Sequence, residues 1–224
     1  MTSKCRIELL ALLLAPTLGF AQKQLLTQAL GQLFTPESPF DAGTYKPLRG
    51  HERWQRWLNE DGRTPQIYAA SLGTAAYSQV IESPDGWPRT WEGYGRRVGS
   101  HLGSSAIENT VHESMAAAEG TDPRYFACAC TGIFPRTGHA LKMTFLTYNR
   151  SGHETLDLPM LTGAYGSSMI KTMWYPDHYS PLAQGVQSGH IEVGLIGVEN
   201  ILREFSPDIK RLLHLRAGRP ATEP

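Results

Sequence analysis

The stretch GYGRRVGSHLGSSAIENTVHESMAAAEG, residues 93–120, decides the fold, because its small residues and its reactive residues suggest different purposes for one helix. At 100° per residue Gly95, Gly99 and Gly103 share a stripe that Ala106, Thr110, Ser114 and Ala117 extend. Each Gly costs about 1 kcal/mol of helix propensity against Ala, so three in a row require a compensating contact. Close approach of a neighbouring backbone supplies it. The spacing recurs in AASLGTAA (69–76), in LTGAYGSSM (161–169), at Gly185 and Gly189, and at Gly194 and Gly197. The pattern predicts a mainly α, single-domain helical bundle with Gly/Ala-rich, close-packed helices.

Along another line of the same helix His101, Glu108 and His112 fall at offsets of 0, 7 and 11, within about 20°, with Arg97 and Ser104 beside them. A carboxylate and an imidazole four residues apart can share a divalent ion. HESMA begins like the two-histidine zinc helix, but Ala116 stands where the second His belongs. The competing reading is a solvated or groove-lining polar face. Glu199 and Arg203 read as an ordinary i, i+4 pair. No metal and no cofactor is assigned, and phosphate-loop, dinucleotide and nucleophile-elbow patterns are missing from the sequence.

Helix starts are signalled by a hydroxyl residue before Pro at Thr64-Pro65, Ser180-Pro181 and Ser206-Pro207. With the apolar periodicity, helices are expected near 22–34, 48–59, 65–82, 89–119, 137–147, 160–174, 182–205 and 207–214. One short β-hairpin is expected near 143–158, where Thr, Phe and Tyr precede Arg150-Ser151-Gly152-His153 and an alternating return. His139 reads as a cap or a surface residue. DPRYF (122–126) and REFSPDIKR (203–211) read as punctuation, with Asp122 and Arg124, or Glu204 and Lys210, tying loops to helix ends.

The first 21 residues place Lys4 and Arg6 before the apolar run Leu9–Leu14, followed by Pro16 and Gly19-Phe20-Ala21. That is the layout of a secretory signal cleaved after Ala21. The expected organisation is a signal peptide (1–21), an N-terminal helix and Pro-rich linker (22–46), a helical domain (47–214) and a disordered tail (215–224). No segment reaches the ~18 uninterrupted apolar residues of a membrane span. The chain carries 21 basic and 21 acidic residues. Loss of the signal leaves 19 and 20, a charge near −1 that gives no electrostatic case for nucleic acid.

Cys128 and Cys130 remain beyond the signal, in FACACTG, with one residue between them rather than the two of thioredoxin-type motifs. Buried thiols are the first reading, a disulfide the second and a metal site the third.

The succession ERWQRWL, EGYGRRVGS, DPRYF, GHAL, TYNRSG, GAYGSSMI, WYP and LREFSPDIKR resembles a family of exported bacterial proteins without an assigned activity, over about residues 47–212. The resemblance implies one continuous domain in the cell envelope and lends no catalytic residue. The functional expectation is an exported structural or interaction protein of the periplasm or outer membrane, whose partner is an envelope protein or the outer-membrane surface. The alternatives are a metal-dependent hydrolase using Arg97, His101, Glu108 and His112, and an outer-membrane-associated helical bundle.

Overall fold

The computed structural model describes residues 38–59 and 65–212. The expected signal peptide, the helix near 22–34 and the tail beyond 214 lie outside them. Six α-helices are described: α1 (Gly50–Leu58), α2 (Pro65–Val80), α3 (Trp91–Glu119), α4 (Ile133–Lys142), α5 (Leu158–Ile170) and α6 (Pro181–Leu212). A 3-10 turn, Lys171–Trp174, follows α5. Strands β1 (Thr121–Asp122), β2 (Leu146–Asn149) and β3 (Glu154–Leu156) form one antiparallel sheet in the order β1-β2-β3. The described residues fall into two units, 38–204 and 205–212.

The long helix α3 is set by its ends. Thr90 accepts the Gly93 N–H at 3.3 Å, satisfying one of the donors that a helix start leaves without a partner. Gly120 closes the helix in the left-handed region, at φ 76°, and returns its N–H to the Ala116 carbonyl. A Cβ there would also meet Arg150 Nε at 2.5 Å. In α5, Asp157 accepts the Met160 N–H at 3.0 Å, and Pro159 occupies a first-turn position that needs no N–H. Ser180 accepts the Ala183 N–H at 3.4 Å, as the Ser-Pro signal predicts.

The mainly helical fold with its short hairpin matches the expectation, and the hairpin turn carries Gly152 at φ 76°. Two boundaries differ. Helix α4 begins at Ile133 and stops at Lys142, because Leu146, Thr147 and Tyr148 pair with β3 and, through Tyr148, with β1. Ser206-Pro207 starts nothing: Pro207 lies inside α6, since a Pro forfeits one backbone bond that a long helix can spare.

Apolar burial is modest and split. Tyr125, Phe126, Ala140, Met143 and Tyr148 form one cluster, with Phe40 stacked on Tyr148 at 3.7 Å. Met160, Ala164 and Val193 form another, flanked by Leu161, Tyr165 and Ile196. Helix α3 packs chiefly on α5 and α2.

The glycine stripe is placed otherwise than expected. A Cβ on Gly95 or Gly99 would meet nothing within 4 Å, and one on Gly103 reaches only Trp174 at 4.0 Å. The close approaches are made elsewhere. Gly93 leaves no room for a Cβ beside the Pro88 carbonyl oxygen, and a Cβ on Gly163 of α5 would lie 3.0 Å from the Glu108 carbonyl oxygen of α3. Gly185 and Gly189 do serve the expected purpose: α6 crosses α5 there, and added Cβ atoms would press on the Met169 backbone at 2.9 Å and on Tyr165 Cε1 at 2.7 Å. At the α3–α5 crossing one Gly from the partner helix suffices, which frees the 95–99–103 stripe from that role.

Candidate functional site

Ionisable groups occupy positions where a bundle ordinarily holds Leu and Ile. At its crossing with α3, Gly163 lies over Glu108 and His112: its added Cβ would touch Glu108 Cγ and His112 Cβ, each at 3.5 Å. Glu108 and His112 therefore turn towards α5, and they and His101 are half-buried. Each group finds a different neighbour. Glu108 lies near Glu192 of α6, with Lys171 and Glu199 near enough to act on its charge. His101 Nε2 lies 3.4 Å from Ser78 Oγ of α2. His112 Nε2 lies 3.7 Å from Asp157 Oδ1, beyond hydrogen-bond reach. That nitrogen is buried without a hydrogen-bond partner.

Burial governs the protonation of all of them. It pushes Glu108 above the usual carboxyl range, with the Glu192 and Glu199 charges adding to the shift and Lys171 opposing it. The Lys171 ammonium is held below its ordinary value by burial, against the two carboxylates Glu192 and Glu108. His101 falls to about 4 through burial and then Lys171. His112 also falls to about 4, through burial and then Arg56, Arg203 and Arg53. Asp157 rises to about 6 by burial, partly offset by the Met160 N–H. The product is a Glu108 carboxyl that holds its proton near Lys171, with His101 and His112 kept neutral on the same helix. Because the groups disperse to separate neighbours, no set of three or more His, Cys, Asp or Glu among the described residues is gathered to hold a metal ion.

Arg97, expected to join that face, has another task. It is 1% exposed and threads the loop between α2 and α3. Its Nε donates to Ser83 O at 2.8 Å, Nη1 to Gln79 Oε1 at 2.6 Å and Pro88 O at 3.2 Å, and Nη2 to Trp87 O at 3.1 Å and Pro84 O at 3.4 Å. The planar, five-donor guanidinium can serve converging carbonyls in a way an ammonium cannot.

Two buried carboxylates do the same for other loops. Asp122 accepts from Arg124 Nε at 2.9 Å and Nη2 at 2.6 Å, and from Tyr45 Oη at 3.1 Å. Glu204, with its side chain fully buried, accepts from Tyr125 Oη at 2.7 Å, Arg136 Nε at 3.2 Å and the Cys128 N–H at 3.0 Å. His139 sits inside α4 rather than at a cap, with Nδ1 3.6 Å from Glu204. A third carboxylate, Glu113, meets Arg56 Nε of α1 at 2.8 Å. Sequence reading found Asp122–Arg124 and Glu199–Arg203, the latter at 2.7 Å. It missed the Glu204 partners, Glu113, Asp157 and Lys171, whose contacts join distant segments and leave no local spacing to read.

Cys128 and Cys130 are joined as a disulfide, not the buried thiols of the first reading. The intervening Ala129 is exposed and both cysteines are half-buried, so the pair lies near the surface.

Comparison with family models, with curated proteins and with solved structures yields no match. Among the described residues no helix is long and apolar enough to cross a membrane.

Proposed function

We propose that the chain is an exported helical interaction module of the cell envelope, which seats its outward apolar surface against another envelope protein. One observation carries this reading. The largest fully buried side chains include Arg97, Glu204 and Asp122, while Trp91, Phe134, Met173 and Val80 are 88%, 90%, 80% and 69% exposed. An ordinary monomer leaves single apolar residues in water, but an aligned row marks a contact surface. On α6, Ile191, Leu195 and Val198 are 58%, 56% and 53% exposed and share one helical face. Export and envelope location rest on the N-terminal signal pattern and on the family resemblance.

The test is a photo-crosslinking residue at position 195 in cells, with one at Glu119 as control. Adducts in the envelope fraction from position 195, lost when Ile191→Lys and Val198→Lys are added, support the reading. No adduct from position 195, or from 80 or 91, sinks it. A second reading, contact with the outer-membrane surface, draws on exposed Trp91 and Met173, since amphipathic rings favour membrane interfaces. Retention in the membrane pellet after an alkaline carbonate wash, with no protein adduct, would favour it.

A further inference from the structure

We infer that the Cys128–Cys130 disulfide is a thiol–disulfide exchange site whose substrate is an extended protein segment bearing two thiols. The bond is poorly suited to be a staple. It spans a single intervening residue, and the stabilisation a cross-link gives by restricting the unfolded chain is least for the shortest loops. The segment is also fastened without it, because Tyr125 and Cys128 are both tied to the Glu204 carboxylate.

What surrounds the sulfurs suits exchange. The Cys130 N–H points at Cys128 Sγ, 3.2 Å away, and would stabilise a thiolate formed there. Helix α4 starts three residues after Cys130, with no side-chain cap on its N-terminus, so the positive end of its dipole lies close in sequence to the pair. The opposing charge, Glu204, is compensated by Arg136 at 3.2 Å, with His139 at 3.6 Å. Beside the pair, Ile133 and Phe134 are 71% and 90% exposed, an apolar lip for an unfolded segment to rest on.

A substrate thiolate attacks Cys130 Sγ, the Cys128–Cys130 bond breaks, and its electron pair stays on Cys128 Sγ, where the Cys130 N–H receives it. The mixed disulfide at Cys130 is then attacked, on the substrate's sulfur, by the second substrate thiolate. The substrate leaves as a disulfide, oxidised by two electrons, and the two cysteines keep those electrons as thiols or thiolates after taking up protons.

The folded full chain is equilibrated in buffers of reduced and oxidised glutathione, acid-quenched and alkylated. Trypsin then isolates residues 125–136, which separates the pair from Cys5. Reduction of this peptide within the glutathione range, with unchanged circular dichroism, is the expected result. In parallel, the oxidised chain is mixed with reduced glutathione and acid-quenched at early times. The glutathione adduct should lie on Cys130 more than about tenfold over Cys128, because the sulfur attacked is Cys130. A disulfide that resists dithiothreitol until denaturant unfolds the chain overturns the inference. Equal adduct on Cys128 and Cys130 overturns the assignment of Cys130 as the attacked sulfur.

Discussion

The Tyr125 phenol donates to the Glu204 carboxylate at 2.7 Å, joining the loop after β1 to α6 across 79 residues of chain. Burial, and then Glu204, raise the proton affinity of that phenol, so it keeps the proton it donates. Glu204→Ala leaves Arg136 and the Tyr125 hydroxyl facing an empty acceptor site. Breaking a buried pair in this way costs about 3–5 kcal/mol. The urea midpoint should drop accordingly, and Glu204→Gln, which keeps one acceptor oxygen, should lose less.

Arg97→Lys keeps the charge and loses the fork. Several carbonyls of residues 83–88 then lack a donor, each costing about 1–3 kcal/mol when buried and unsatisfied. A loss of about 2–4 kcal/mol in denaturant unfolding is expected, although charge and approximate length are preserved. An unchanged midpoint would show that water can replace the guanidinium.

Glycine substitutions should divide by position. Gly99→Ala meets open space and should stabilise the chain by about 0.5–1 kcal/mol through helix propensity. Gly189→Ala drives a methyl into the Tyr165 ring and should destabilise by about 1–3 kcal/mol. Gly93→Ala, against the Pro88 backbone, should be the worst of the three. Thermal melting of the set checks the order.

Acid sensitivity should trace to His112. Its folded value of about 4 lies below the unfolded value of about 6.5, so the unfolded chain takes the proton first. Its contribution to stability is complete above about 6.5 and disappears as pH falls through about 4. Comparing urea midpoints of wild type and His112→Gln at pH 4 and pH 7 should show the wild type losing on the order of 2–3 kcal/mol more. Asp157 works in the opposite sense. Raised to about 6, it stabilises below the ordinary carboxyl value, and that stabilisation is lost as pH rises through about 6.

Glu108 supplies the alkaline limb. Its carboxyl, raised by burial and then by Glu192, favours the folded state while protonated, and that contribution declines as pH climbs from the ordinary carboxyl range through the raised value. Glu108→Gln, permanently neutral and of the same shape, should flatten the decline seen in wild type. An identical pH profile in the variant would place the titration elsewhere.

What the sequence disclosed follows from how far apart the interacting residues lie along the chain. Ser180 acts within a turn of its own position, and the α6 start was readable from it, as the α3 span was from the apolar periodicity along one helix. The hairpin was readable for the same reason. The Gly95–Gly99–Gly103 stripe misled because spacing reveals that residues share a face but not what covers that face; the close approach came from Gly163 on another helix. His101, Glu108 and His112 were correctly grouped on one side of α3. Their dispersal to Ser78, Glu192 and Asp157 depended on three other segments, and no motif could announce it. The charged residues of DPRYF and REFS stood out beside proline, yet the pairing of Glu204 with Tyr125 and Arg136 is a product of the tertiary fold.

Buried positions held by Arg97, Asp122 and Glu204, with Leu195 and Trp91 exposed, alter the usual map of mutational tolerance. In deep mutational scanning for folding alone, hydrophobic positions such as Leu195 and Trp91 should accept polar replacements freely, whereas Arg97, Asp122 and Glu204 should reject even close chemical cousins. Directional bonds, unlike oily volume, cannot be repacked by a neighbour.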